Sequence, residues 1–185
     1  MRTPSSARGF TILELMMGML IATLLLTVGV PSFQTFVRNS EIRSTAESIS
    51  NGLRAARTEA TRLNSPVSFT LAGAGNPSWA INVFDPTTAT LTQPPLQQFS
   101  KLETGKNSTV VTTPANAVAI TFNGLGRIIS PSPIGTPNIQ QINVGSLVAG
   151  EARTLRINVE DGRGIRICDP DPALAALVPP DPRAC

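Results

Sequence analysis

An uninterrupted apolar segment near the N-terminus limits the folds that this chain can adopt. Residues 10–30 contain a single charged side chain, that of Glu14. A helix of about 20 residues is about 30 Å long, which is the thickness of the hydrocarbon core of a bilayer. Arg2 and Arg8 precede the segment, and basic residues stay on the cytoplasmic side of a membrane. The sequence therefore predicts a single-pass membrane helix with the remainder of the chain outside the cytoplasm.

The same segment has two simpler interpretations, a cleaved secretory signal and a plain membrane anchor. A secretory signal has a shorter apolar region and a small-residue cleavage site, and no clear site of that kind precedes the polar region here. A plain anchor gains nothing from Glu14, because a carboxylate near the centre of a span costs roughly 3 kcal/mol. Glu14 is therefore a candidate functional residue.

The stretch around Glu14 resembles a known export signal. Gly9, Phe10 and the Thr-Ile-Leu-Glu that follows, ahead of a long apolar run, are similar to the class III signal of type IV pilins and pseudopilins. The resemblance implies that a prepilin peptidase cleaves after Gly9 and methylates the new N-terminus at Phe10. It also implies that Glu14 pairs with the N-terminal ammonium group of a neighbouring subunit during filament assembly. Pro31 occupies a position where these proteins commonly carry a helix-kinking proline.

The helix is predicted to continue beyond Pro31. Apolar residues recur at alternating spacings of four and three, which is typical of one buried helical face. These residues are Ile42, Ala46, Ile49, Leu53, Ala56, Ala60 and Leu63. The charged residues between them are interpreted mainly as a solvated face, and Asn64-Ser65-Pro66 is predicted to end the helix.

Strand signals follow the helix at once. Segments with alternation or β-branched residues are separated by Gly, Pro and Asn. They are Val67–Leu71, Trp79–Phe84, Thr109–Thr113, Ala117–Phe122, Gln141–Val144 and Leu155–Val159. The stretches 85–108 and 130–140 are rich in Pro, Thr, Gln and Asn and are predicted to be loops. We therefore expect an α+β protein with the type IV pilin fold, a long N-terminal helix packed on an antiparallel sheet.

The predicted organisation has four parts. Residues 1–9 form a leader peptide, 10–30 a transmembrane helix, 31–64 its amphipathic continuation, and 65–185 a periplasmic sheet domain with a C-terminal tail. Two stretches, at 50–60 and 119–127, resemble the GspH/FimT branch of the family. That branch holds the type II secretion pseudopilin GspH and the type IV minor pilin FimT.

Composition narrows the function classes. The chain has no His, no Tyr and two Cys, and it lacks the common nucleotide-binding and hydrolase motifs, so we expect neither an enzyme nor a metal or other cofactor. Arg2 and Arg8 account for two of 15 basic residues, which leaves 13 basic against 12 acidic side chains in the remainder. Any anion-binding function must therefore come from a local basic patch.

A β-hairpin near the C-terminus supplies such a patch. A loop of three or five residues between the two strands pairs Val159 with Ile165 and keeps the apolar residues on one face. Arg166 then points outward beside Asn158, with Arg156 diagonal to it and Arg163 at the loop tip. In FimT proteins a GRxR motif near the C-terminus is associated with DNA binding. Here the sequence from Gly162 reads G-R-G-I-R, so its second arginine comes one residue later.

The two cysteines enclose a Pro-rich tail. If the domain lies outside the cytoplasm, Cys168 and Cys185 are expected to form a disulfide, with two free thiols as the alternative. The bond would hold Arg183 near the hairpin. Arg163, Arg166, Arg156 and Arg183 are then the candidate contacts to double-stranded DNA. A second interpretation is an ordinary solvated hairpin, with the arginines balanced by Glu160 and Asp161.

Three functions are compatible with these features. The first is a minor pilin of a type IV pilus that binds DNA non-specifically for uptake in natural transformation. The others are a type II secretion pseudopilin similar to GspH, and a minor pilin that acts only in pilus assembly. In each case the partners are the prepilin peptidase and other pilins or pseudopilins. The chain is expected in the inner membrane, and in the pilus or pseudopilus after assembly.

Overall fold

A computed structural model of the chain describes residues 9–104, 106–148, 153–162, 164–179 and 181–185. The chain divides into two compact units, Met1–Val37 and Arg38–Cys185. Apart from Gly9, the predicted leader peptide lies outside the described residues. Its boundary therefore stays a prediction.

A single long helix, α1, covers Ile12–Leu63 and contains Pro31. It begins after Thr11, whose Oγ1 accepts a hydrogen bond of 3.3 Å from the backbone N–H of Glu14. It ends directly before Asn64, as the sequence predicts. Its N-terminal part is long and apolar enough to cross a membrane, with a mean hydropathy of 2.1 over 18 residues.

The second unit holds the core. Among the described residues, the buried apolar side chains all lie between Ile42 and Cys168. The predicted stripe of α1 is confirmed, because six of its seven members are buried and Leu63 packs against the same core at partial burial. The stripe faces apolar side chains from both sheets, including Phe69, Ile120 and Ile157.

Among the described residues, nine strands form two antiparallel sheets in this unit. In the first sheet the strands are β1 (Val67–Leu71), β2 (Trp79–Asp85), β3 (Thr90–Leu91), β4 (Gln97–Phe99) and β6 (Ala119–Phe122). In the second they are β5 (Ser108–Thr113), β7 (Gln141–Ser146), β8 (Leu155–Glu160) and β9 (Gly164–Cys168). The first has the order β3-β2-β1-β6 with β4 also on β2, and the second has the order β5-β7-β8-β9. The described part of this unit also contains two one-turn helices, α2 (Lys101–Thr104) and α3 (Pro172–Ala175).

The α+β class and the long helix are confirmed, and each predicted strand segment contains a strand. Two details differ. The strands separate into two sheets where one was expected, and the predicted loop at 85–108 contains β3, β4 and α2. These elements are only two to four residues long and mostly exposed, so they leave no alternating apolar pattern in the sequence.

Each of the two stretches that resemble the GspH/FimT branch, 50–60 and 119–127, contains a glycine that packs closely against a neighbouring element. A Cβ on Gly52 would lie 2.9 Å from the ring of Trp79, so the absence of a side chain lets this ring pack on α1. The Trp79 indole N–H also donates to Ser48 Oγ at 3.1 Å. After β6, a Cβ on Gly124 would clash with Asn64 Oδ1, where the turn meets the end of α1. These glycines therefore fix how the helix seats on the first sheet.

Candidate functional site

The hairpin of β8 and β9 has the predicted register. Val159 lies opposite Ile165, Ile157 lies opposite Ile167, and Asn158 lies opposite Arg166. The connection spans 161–163, which is the shorter of the two predicted loops. Arg163 lies outside the described residues, so its position at the loop tip stays a prediction.

The outer face of this hairpin is polar. Arg156 lies opposite Cys168, two pairs along from Asn158 and Arg166, which places the two arginines on a diagonal of the same face. Arg156 Nε donates to Asn143 Oδ1 on β7 at 2.9 Å. Arg156 is thus half-buried and held against the sheet, whereas Arg166 is exposed.

A disulfide joins Cys168 to Cys185, with the two Cα atoms 5.1 Å apart. It closes the C-terminal tail onto the end of β9. The tail pairs with the chain directly after β9. The N–H of Asp169 donates to the carbonyl oxygen of Arg183 at 2.7 Å, and the N–H of Cys185 donates to the carbonyl oxygen of Asp169 at 3.0 Å. Within the tail, the Asp171 carboxylate caps α3 by accepting the N–H of Ala173 at 2.9 Å.

Arg166 contacts this tail directly. Its Nη2 donates to the carbonyl oxygens of Pro182 and Ala184 at 3.2 and 3.3 Å. These carbonyls lie on either side of Arg183, so the structure places the guanidinium of Arg166 next to the backbone of Arg183. A guanidinium group has five N–H donors in a fixed fork. The remaining donors of Arg166 can therefore contact an external anion while Nη2 stays on the tail.

Arg183 forms an ion pair with Asp181. Its Nε donates to Asp181 Oδ1 at 3.0 Å and its Nη2 to Oδ2 at 2.7 Å, a bidentate arrangement. Hydrogen bonds from the Arg183 side chain and backbone lower the pKa of Asp181 to about 2. The same pairing raises the pKa of Arg183. Asp181 thus stays ionised in neutral solution and offsets part of the positive charge of Arg183.

The structure also places near the hairpin several basic residues that were not candidates from the sequence. The backbone N–H of Arg153 donates to Asn39 Oδ1 on α1 at 3.0 Å, which brings the start of β8 beside the helix. On the same helix, Arg54 Nη2 donates to the carbonyl oxygen of Ile165 at 3.1 Å. Arg127 lies 3.4 Å from Asp161 at the hairpin turn. The helical periodicity marked Arg54 only as a surface residue, and no local pattern indicated Arg153.

The predicted assembly residues lie at the start of the chain's first unit. Phe10 is exposed, and Glu14 occupies the first turn of α1. A carboxylate there is favoured by the helix dipole. Thr11 and Glu14 have the spacing of a capping box, and the Thr11 half of it is present. The helix start therefore gives Glu14 a local stabilising role in addition to any contact with another subunit.

Comparisons with known proteins agree with this architecture. The family model described as "Type II transport protein GspH" matches residues 45–171. The type IV minor pilin FimU of Pseudomonas aeruginosa PAO1 superimposes in one crystal form with a TM-score of 0.54 at 17% identity, over 71% of this chain and 91% of that chain. A second crystal form of FimU gives 0.50 at 17% identity, over 68% and 90%. The minor pseudopilin EpsH of the Vibrio cholerae type 2 secretion system gives 0.49 at 10% identity, over 71% and 98%. No curated protein sequence matches the chain.

Proposed function

The chain belongs to the family of type II transport protein GspH and has the type IV pilin fold, and from this premise we propose that it is a minor pilin of a type IV pilus that binds DNA. The binding is non-specific and serves DNA uptake in natural transformation. The exposed arginines around the C-terminal tail are the proposed contacts, with Arg163 and Arg166 as the principal ones.

The observation that supports DNA binding most directly is the position of Arg166. Its side chain is exposed, and its Nη2 is fixed by two backbone carbonyls of a tail that is itself closed by a disulfide. A guanidinium held in this way loses less rotational freedom when it meets a phosphate. Arg163 precedes it by three positions on the same hairpin. Arg183 contributes less because the carboxylate of Asp181 offsets its charge, and Arg156 contributes less because it is half-buried against Asn143.

The chemistry is phosphate capture without sequence readout. Guanidinium forks hold phosphate oxygens, and these contacts carry no information about the bases. Two to four neutralised phosphates correspond to a slope of about −2 to −4 in a plot of log affinity against log salt. A single subunit therefore binds weakly and reversibly, and several subunits acting together raise the affinity through effective concentration.

The N-terminal residues serve assembly in this proposal. A prepilin peptidase cleaves between Gly9 and Phe10 and methylates Phe10. Glu14 then pairs with the N-terminal ammonium group of a neighbouring pilin. The apolar part of α1 anchors the unassembled subunit in the inner membrane, with residues 65–185 in the periplasm. The family and the apolar helix support membrane anchoring and pilin assembly.

A second candidate function is that of a type II secretion pseudopilin. The description of the matching family model favours it. The acidic residues of the hairpin turn also favour it, because Asp161 neutralises Arg127 at 3.4 Å and reduces the positive field near the tip. This candidate needs no DNA contact, and neither does a minor pilin that acts only in assembly.

The DNA proposal is tested with the compact unit Arg38–Cys185, which holds the buried core of the described chain. A short mixed-sequence duplex is titrated by fluorescence anisotropy at several salt concentrations between about 50 and 200 mM. Arg163→Ala and Arg166→Ala are each expected to lower the affinity and to reduce the salt slope by about 1. The matched control is Arg62→Ala, which removes the same charge from an exposed ion pair on α1.

Equal losses in Arg62→Ala and in both site variants would contradict the site assignment, since they would reflect net charge alone. An absence of binding by the wild-type unit at the lowest salt would refute DNA binding itself. In that case one of the two assembly functions stands.

A further inference from the structure

A groove of about 430 Å³ lies in the second unit, where the segment of α1 around Ile42 meets the second sheet and the C-terminal tail. Ile42 of α1, Leu155 of β8 and Ile167 of β9 supply its apolar lining. The tail forms another wall through Pro182 and the disulfide-bonded Cys168. Because the disulfide fixes this wall, the groove is a built feature of the folded unit.

Three arginines line the same groove. Arg43 pairs with Glu47 at 2.9 Å, and Arg183 pairs with Asp181 at 2.7 Å. Arg153 is exposed, and among the described residues its guanidinium has no short-range hydrogen-bond or ion-pair partner. Its charge interacts with Asp181 at longer range and contributes to the lowered pKa of that carboxyl group. One acidic side chain, that of Asp169, lies within the lining, and its Oδ1 accepts the backbone N–H of Asp171 at 3.1 Å. The groove therefore combines an apolar lining with one arginine, Arg153, whose guanidinium donors are available to a ligand.

We propose that this groove docks a short segment of a neighbouring pilin subunit that carries an aliphatic side chain next to a carboxylate. The aliphatic side chain packs on Ile42, Leu155 and Ile167, and the carboxylate accepts hydrogen bonds from Arg153. A groove of this volume accommodates only a few residues, so the segment is short.

Charge and polarity together select this occupant over DNA. A phosphodiester backbone can accept hydrogen bonds from arginine. It does not cover the apolar lining of the groove, so the lining would stay in contact with water and add nothing to the free energy of binding. A polypeptide with an apolar and an acidic side chain satisfies both parts of the groove. Membership of a pilin family makes another pilin the source of that segment. The proposal rests on this membership and does not require DNA binding, although the groove shares Arg183 with the proposed DNA contacts.

The test uses the full-length chain in cells that assemble the filament. A photo-crosslinking benzoylphenylalanine replaces Pro182 at the groove, or Leu125 as a control at an exposed apolar position outside it. We expect a cross-linked product at position 182 with another pilin or pseudopilin, identified by mass spectrometry, through a peptide that contains Asp or Glu beside an aliphatic residue. Position 125 is expected to give no such product.

Arginine variants then test the charge. Arg153→Glu is expected to lower the yield at position 182 by about fivefold or more, and Arg153→Gln by less, since charge reversal adds repulsion to the lost attraction. Arg127→Glu makes the same charge change outside the groove and is expected to leave the yield unchanged. The proposal is overturned if position 182 gives only lipid or nucleic-acid adducts or none. Adducts to a peptide without an acidic residue, or equal effects of Arg153→Glu and Arg127→Glu, would also overturn it.

Discussion

Loss of the Cys168–Cys185 disulfide is expected to lower the free energy of unfolding by about 3 kcal/mol. The two residues are 17 positions apart. The chain-entropy relation for a closed loop of that length gives roughly 3 kcal/mol at 25 °C, because the bond restricts the unfolded chain more than the folded one. The folded tail keeps other contacts without the bond, including the two from Arg166 to the carbonyls of Pro182 and Ala184. These contacts keep the tail in its native position without the bond. The measured difference in the free energy of unfolding therefore reflects mainly the restriction of the unfolded chain.

The assay is urea unfolding of the unit Arg38–Cys185, oxidised wild type against Cys185→Ser. Cys185 is exposed, so its replacement by Ser leaves no cavity. The fluorescence of Trp79, the only tryptophan in the sequence, reports on unfolding of the core, because its ring packs between Phe69 and Phe99. Reduced wild-type protein is the matched control and is expected to show the same loss. A loss below about 1 kcal/mol in both samples would refute the reasoning, because the bond would then not be restricting an unfolded loop of that length.

Two further predictions concern the core and the tail. Leu53→Ala, at a fully buried position of α1, is expected to lower the free energy of unfolding by about 3 kcal/mol through lost packing and a cavity, whereas Leu125→Ala at an exposed position should change it by under about 0.5 kcal/mol in the same urea titration. The pKa of Asp181 is lowered to about 2 in the folded protein, so its stabilising pair with Arg183 is complete above pH 4 and is lost as the pH falls towards 2. The stability difference between wild type and Asp181→Asn should therefore shrink over that interval in urea unfolding followed against pH, and a difference that stays constant would exclude the pair as its source.

Much of the fold could be predicted because the residues that decide it repeat with a fixed period. The stripe from Ile42 to Leu63 follows the helical repeat, and its burial follows from that repeat alone. The hairpin register was predictable for a related reason. Only a loop with an odd number of residues places four apolar side chains on one face of the hairpin, those of Ile157, Val159, Ile165 and Ile167. The apolar alternation therefore determines which residues lie opposite each other.

The surroundings of the candidate arginines could not be predicted in the same way. Arg166 bonds to the tail because a Pro-rich segment without periodicity returns to the edge of β9. The groove depends on Arg43 and Arg153, which are 110 positions apart in the sequence and come together only when α1 packs on β8. The short strands β3 and β4 pair with β2 through backbone groups, which leave no signal in the side chains.

Glu14 offers the most direct test of the account, since pilin-type assembly underlies both proposals. Full-length wild type, Glu14→Ala and the control Thr23→Ala, at another polar position of the same apolar helix, are expressed in cells that make the filament. The amount of each protein is measured in the membrane and in sheared filaments, and the N-terminus is sequenced. The account predicts that all three insert in the membrane and begin at Phe10, and that Glu14→Ala alone is depleted from filaments. Normal incorporation of Glu14→Ala would contradict the pairing role, and an N-terminus that does not begin at Phe10 in the wild type would contradict processing as a pilin.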